Sequence, residues 1–223
     1  MRNIFLSLWF IIPFNLFGQD WPDINRYRDD NAKLGSPATN ESRIVFMGNS
    51  ITEGWSNFHP EFFSGKPYVN RGISGQTTPQ MLIRFRADVI NLQPKAVVIL
   101  AGTNDIAGNT GPATINMIAD NIISMAELAQ ANNILVIISS VLPVYDYPWK
   151  PGLEPAPNIS QLNDIIKNYA NKHEHTYLNY YAAMVDEQKG LKEEYTYDGV
   201  HPNKAGYQIM AALAKEAIAN TLD

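Results

Sequence analysis

The chain has 223 residues, 45% of them apolar and 17% charged, with 14 glycines and 14 prolines. This is globular composition at a length suiting one large domain, and it excludes disorder, collagen-like repeats and coiled coil. The 17 Lys and Arg against 22 Asp and Glu give a net charge of −5 with no basic run, which speaks against a nucleic-acid or anionic-membrane surface. Cysteine is absent, so disulfides, thiolate zinc sites, a cysteine nucleophile and a lipid-modified N-terminal cysteine are excluded together.

Arg2 precedes an apolar stretch from Ile4 to Phe17, broken only by Ser7, Pro13 and Asn15. That is shorter than the roughly 20 residues needed to span about 30 Å of hydrocarbon. A positive charge, an apolar segment and then Gly18-Gln19-Asp20 predict a secretory signal peptide over residues 1–19. Pro13 and the lack of an amphipathic pattern disfavour a buried helix there. Residues 20–223 are expected to form a single domain with no integral membrane segment, working in a periplasm or outside the cell.

After a polar lead-in from Trp21 to Ser42, five β-rich runs recur: Arg43–Met47, Pro67–Asn70, Ala96–Ala101, Ile134–Val141 and Thr176–Asn179. The first, third and fourth are nearly continuous Val, Ile, Leu and Phe, the pattern of strands covered on both faces. Between and after them, helices are predicted over Pro79–Leu92, Pro112–Asn132, Ile159–His173 and Pro202–Asn220. In the last, Ala205, Ile209, Leu213 and Ala217 form one stripe. Pro79, Pro112 and Pro202 each fit a first helical turn, which accepts a residue lacking N–H. The alternation predicts a doubly wound α/β domain, a three-layer α/β/α sandwich around a five-stranded parallel sheet. The loop Pro143–Pro157 carries five prolines and the aromatics Tyr145, Tyr147 and Trp149. It either walls a binding cleft or covers the sheet edge.

Chemistry-bearing residues gather after the strands. Gly48-Asn49-Ser50-Ile51-Thr52 follows the first, Asn70-Arg71-Gly72-Ile73-Ser74-Gly75 the second and Gly102-Thr103-Asn104-Asp105 the third. Asp198-Gly199-Val200-His201-Pro202 stands near the C-terminus. Singly, each has a plain structural reading: a helix cap for Ser50, a positive φ for Gly72, an Asx-turn for Asn104-Asp105. A sheet of order 2-1-3-4-5 would set strand one between strands two and three, and so Ser50 between Gly72 and Asn104. A serine nucleophile needs a base and donors for the developing oxyanion. Of four histidines, His201 alone has a carboxylate close upstream in a glycine-containing turn, so Asp198 can hold Nδ1 while Nε2 faces the serine.

Together these four segments, in this order and spacing, resemble the blocks of the SGNH (GDSL-type) hydrolases over essentially the whole mature chain. Asn49 stands where the name-giving motif has aspartate. The resemblance implies a flavodoxin-like sandwich with Ser50 as nucleophile, His201 as base, Asp198 as its orienting acid, and Ser50, Gly72 and Asn104 as the oxyanion hole. No metal or organic cofactor is implied. The segments around Ser50, Gly72 and Asn104 look most like the branch with platelet-activating-factor acetylhydrolase-like and carbohydrate acetylesterase members. That points to short acyl esters, acetyl in particular, on a small molecule or glycan. A lysophospholipase or other lipid esterase, a non-catalytic glycan-binding module and a flavodoxin-like redox protein are the alternatives. His173-Glu174-His175 is expected to be a solvated helix end, and His59 shows no recognisable partner in the sequence. The G-x-S-x-G elbow, the Walker phosphate loop and the G-x-G-x-x-G fingerprint are absent.

Overall fold

The structure, a computed structural model, describes residues 20–223; the expected signal peptide, residues 1–19, lies outside the described residues. Five parallel strands, β1 (Ile44–Gly48), β2 (Tyr68–Gly72), β3 (Ala96–Leu100), β4 (Leu135–Ser139) and β5 (Thr176–Leu178), form one sheet of order β2-β1-β3-β4-β5. The helices are α1 (Arg28–Leu34), α2 (Ser50–Phe58), α3 (Thr78–Asp88), α4 (Thr103–Ile106), α5 (Ile115–Gln130), α6 (Ala156–Lys172), α7 (Tyr180–Met184) and α8 (Lys204–Leu222).

Strand residues pointing to alternate faces are buried on both. Val45, Met47, Val97, Ile99, Val136 and Ile138 pack under α3, α5 and α6 through Met81, Phe85, Ile122 and Leu162. Ile44, Phe46, Val98 and Ile137 pack under α2, α7 and α8 through Trp55, Tyr180, Met210 and Ile218. This two-sided cover removes apolar–polar alternation and gives the expected three layers. Register then does the functional work. Gly48 of β1 pairs with both Gly72 of β2 and Leu100 of β3, so three strand ends finish level at the carboxyl edge, where ligands bind in such sheets.

Several boundaries differ from expectation, each for a local reason. β4 stops at Ser139, short of Val141, because Asn163 of α6 takes over the Val141 backbone. Its Oδ1 accepts from Val141 N at 2.8 Å and its Nδ2 donates to Val141 O at 3.1 Å. Pro79 does sit in the first turn of α3. Pro112 and Pro202 instead precede their helices, whose first turns are capped by side chains: Thr114 accepts from Met117 N and Asn203 from Gly206 N. The α3 pattern breaks after Asp88 into a 3₁₀ turn over Ile90–Leu92. The polar lead-in holds α1, which has no buried residue of its own.

Candidate active site

Asn49 explains where Ser50, the expected nucleophile, stands. It is the N-cap of α2, its Oδ1 accepting from Ile51 N at 3.1 Å. The capping duty that Ser50 was suited to is thus taken by its neighbour, and capping needs only a side-chain oxygen, which asparagine and aspartate share. Ser50 is left in the first turn with its hydroxyl free to donate to His201 Nε2 at 2.9 Å. Gly48, just before, must be glycine: a Cβ there would sit 1.9 Å from Thr52 Oγ1.

Asp198 and His201 are locked into one turn. Asp198 Oδ1 accepts from Val200 N at 2.9 Å and His201 N at 2.7 Å, while Oδ2 takes the imidazole Nδ1 at 2.7 Å. Gly199 supplies the positive φ of 84° that the turn requires. Thr196 Oγ1 donates to the His201 carbonyl at 2.7 Å. Partial burial opposes charge on Asp198, but the hydrogen bonds from the His201 amide and ring and the Val200 amide outweigh it and hold its carboxyl below the usual range. An ionised Asp198 only accepts, so Nδ1 carries the imidazole proton and Nε2 presents a lone pair to Ser50.

The expected oxyanion donors divide. Asn104 is buried, and Nδ2 donates to the Gln76 carbonyl at 2.9 Å, which commits one of its two hydrogens. Gly72 is different, and the expectation that its amide is free is corrected here. Its N–H is held by Asn70 Oδ1 at 2.9 Å, and a Cβ on it would lie 2.1 Å from Glu53 N and 2.7 Å from the Asn49 carbonyl. Gly72 is thus the seat on which α2 rests. Three residues on, Gly75 is exposed with φ 77°, and its N–H has no partner among the described residues. Its turn is closed by Gln76 N on Ile73 O and tied to Asn104 through Gln76.

Behind this edge lie buried charges, of which the sequence reading names only Asp105, as part of an Asx-turn. Arg84, fully buried, donates from Nη2 to the Gly48 carbonyl at 2.9 Å, from Nε to Gln76 Oε1 at 2.6 Å and from Nη1 to Asp88 Oδ2 at 2.9 Å. Asp105 is buried against the start of α3, accepting from Thr78 N and, at 2.6 Å, Thr78 Oγ1. Burial outweighs those bonds and raises its pKa to about 6.

A cleft of about 820 Å³ opens on Ser50 and His201 and runs over the β2 edge between α1 and α2, past Glu53, Phe58, Arg71 and Tyr197. The Tyr197 ring stacks on His201 at 5.9 Å and on Phe58 at 5.6 Å. The proline-rich loop lines none of this cleft, though one of its rings comes near the His201 imidazole. Tyr147 is buried with its hydroxyl on the Thr103 carbonyl, while half-exposed Trp149 stands 6.2 Å from the His201 ring. Tyr145 faces elsewhere, beside Asp146 and Gly152. His59, expected to be partnerless, bonds Glu61 Oε2 at 3.0 Å. His173 ends α6 and is exposed as expected, but His175, expected in the same solvated end, is half-buried with Nε2 shut away and without a partner among the described residues. No group of three metal-ligating side chains occurs among the described residues.

The chain belongs to the GDSL-like lipase/acylhydrolase family, whose model matches residues 46–209. It is similar to a candidate acylhydrolase of Bacteroides fragilis, at 49% identity over 92% of this chain and 100% of that one, with a TM-score of 0.90. A GDSL-like lipase of Bacteroides thetaiotaomicron is 52% identical over 89% and 98% of the two chains, with a TM-score of 0.87. The lipoprotein YqeF of Bacillus subtilis is 26% identical over 147 residues, 64% of this chain and only 58% of its own length.

Proposed function

We propose that this chain is a serine esterase that removes short acyl groups, acetyl in particular, from a carbohydrate outside the cytoplasm. The observation that carries it is the relay from Ser50 through His201 to Asp198, at 2.9 and 2.7 Å. Ser50 Oγ bonds to the ester carbonyl carbon as its proton passes to His201 Nε2, and the carbonyl oxygen becomes the oxyanion. Collapse breaks the bond to the alcohol, which leaves with the Nε2 proton. Water then attacks the acyl-serine, giving one proton to Nε2, and Ser50 departs with it as the acid is released. The oxyanion rests on Ser50 N–H at the start of α2, the uncommitted hydrogen of Asn104 Nδ2 and, in place of Gly72, the free N–H of Gly75.

Trp149 and the Tyr197–Phe58 stack flank the imidazole with exposed aromatic faces, on which a sugar ring can lie while polar groups of the cleft meet its hydroxyls. The extracytoplasmic setting rests on the residue 1–19 pattern and on the similarity to a lipoprotein. Unlike a lipoprotein, this chain has no cysteine to carry a lipid. Fractionation of expressing cells followed by N-terminal sequencing should find a mature chain starting near Gln19 or Asp20 outside the cytoplasm. A cytoplasmic, unprocessed chain counts against that placement.

A panel of p-nitrophenyl esters tests the chemistry. Acetate should be hydrolysed fastest, Ser50→Ala should leave only residual turnover, and Asn104→Ala should lose about 10²–10³ in kcat, the usual loss for one oxyanion donor. Near-normal hydrolysis by Ser50→Ala would end the esterase reading. Faster hydrolysis of long acyl chains would move the substrate to lipids. Ser50 should also react with a serine-directed organophosphonate, which a non-catalytic glycan-binding module would not.

A further inference from the structure

Arg71 is only 6% exposed, yet among the described residues it pairs with no carboxylate. Burying an unpaired guanidinium costs free energy unless something repays the lost hydration. Its side chain is fixed from three directions. Nε donates to Asn31 Oδ1 at 2.8 Å, Nη1 donates to the Asn70 carbonyl at 2.7 Å, and the guanidinium lies 4.6 Å from the centre of the Tyr27 ring. Nη2 takes no partner among the described residues, is not sealed away, and opens on the cleft that Ser50 and His201 share.

The surrounding charges leave Arg71 uncompensated. Asn31 passes it on to Asp88 through Nδ2 at 2.8 Å, but Asp88 is already the partner of Arg84 at 2.9 Å. Two buried guanidiniums thus share one buried carboxylate. The other charges lining the cleft are engaged nearer at hand: Glu53 with Arg26 at 3.0 Å, Asp30 with Lys33 at 3.8 Å. A fixed, dehydrated guanidinium with one donor facing a substrate cleft is the arrangement that recognises an oxyanion.

We propose that Arg71 forms an anion-binding subsite, so that the ester is carried on an acidic molecule, with a sugar carboxylate seated on Nη2 while the acyl group is at Ser50. This rests on the carbohydrate esterase reading and narrows it to glycans containing a uronic acid. Tyr27 and Asn31 hold the arginine, and both belong to the lead-in and α1, outside the family-matched residues 46–209.

The test is competitive inhibition of p-nitrophenyl acetate hydrolysis by glucuronate, glucose and glycerol 3-phosphate, on wild type, Arg71→Gln and Arg71→Lys. Glucuronate should bind wild type at least about 10-fold more tightly than glucose, the effect of one hydrogen bond to a charged group. That ratio should collapse in Arg71→Gln, return in part in Arg71→Lys, and shrink with added salt. Equal inhibition by glucuronate and glucose in wild type, or an unchanged ratio in Arg71→Gln, overturns the proposal. Tight binding of glycerol 3-phosphate with indifference to glucuronate overturns the sugar-acid assignment in favour of a phosphate head group. If Arg71→Gln does not fold, the wild-type ratio and Arg71→Lys decide. Calorimetry on Ser50→Ala with the same three compounds needs no turnover and separates the two readings. Glucuronate binding there without ester hydrolysis by wild type retires the esterase and keeps the subsite; hydrolysis without a glucuronate preference retires the subsite alone.

Discussion

Asp105 neighbours Asn104, the proposed oxyanion donor, in sequence and uses both carboxyl oxygens on Thr78, at the first turn of α3. It thereby joins α4, the short helix after β3 that carries Asn104, to the helix that follows the Gly75 turn. Burial raises its pKa from 3.8 to about 6, so the folded state holds this proton more tightly than the unfolded chain. Its contribution is complete below about 3.8 and is lost as pH rises through about 6, amounting to about 3 kcal/mol over that span. Asp198 and Glu53, held below their ordinary values, change in the opposite sense, adding stability as pH rises. The prediction is therefore a difference. In urea unfolding, wild type should lose stability relative to Asp105→Asn between those two pH values, and a difference constant with pH would refute the assignment. At about pH 7 the carboxylate stays charged in a buried place, a cost consistent with its role in holding the loop beneath Asn104.

The β1–α2 turn against the end of β2 is the element on which the position of Ser50, the proposed nucleophile, depends. Gly72 lets the two approach so closely that a methyl group would fall 2.1 Å from Glu53 N and 2.7 Å from the Asn49 carbonyl, both backbone atoms. Gly72→Ala should therefore push the first turn of α2 away from β2 and draw Ser50 Oγ off His201 Nε2. The expected result is a loss of kcat beyond about 10-fold, since an ångström of misplacement costs on the order of 10²-fold, together with lower urea stability; a variant with wild-type kcat would show that the turn yields without moving the nucleophile. The same glycine marks the limit of what the sequence discloses. The continuous Val and Ile runs of β1 and β3 disclose buried parallel strands, and glycine-rich junctions disclose their ends, because these depend on residue type and period. Which of Gly72 and Gly75 keeps a free N–H depends on where the Asn70 side chain turns. Its Oδ1 makes a local Asx-type bond to Gly72 N, but its orientation is set by Nδ2 on Thr52 O and Ser56 Oγ of α2, a tertiary contact the sequence does not disclose. The sequence reading proposes no helix over α2, which is short and carries Gly54, nor over α1, which buries nothing. Pro112 and Pro202 misled because Thr114 and Asn203, further along, are the better caps. Tyr197, Phe58 and Arg71 enter the cleft only through packing, so residue type alone could not place them there.

Arg84 draws these parts into one body. Its three donors reach the Gly48 carbonyl, two residues before Ser50, the Gln76 side chain in the turn proposed to hold the oxyanion, and Asp88 at the end of α3. Through Asp88 and Asn31 the network continues to α1 and Arg71, so the Ser50 turn, the Gly75–Gln76 turn and the cleft wall share one buried polar hub. Removing one member of a fully buried ion pair typically costs about 3–5 kcal/mol, because the partner's charge is stranded, whereas replacing both by apolar groups of similar volume is often near neutral. Arg84→Met should therefore unfold at much lower urea than wild type, and adding Asp88→Leu should recover most of the loss. Asn31 Nδ2 would keep its bond to the Ala87 carbonyl, and Gly48 O would keep the Ile73 amide. Activity should not recover with stability. Gln76 Oε1 would still lack its donor, and the Gln76 carbonyl is what holds Asn104, so the double variant should retain its KM for p-nitrophenyl acetate while kcat stays about 10-fold or more below wild type. If the double variant regains both stability and kcat, Arg84 serves the fold alone; if it regains stability only, the buried pair is kept for the precision of the oxyanion loop.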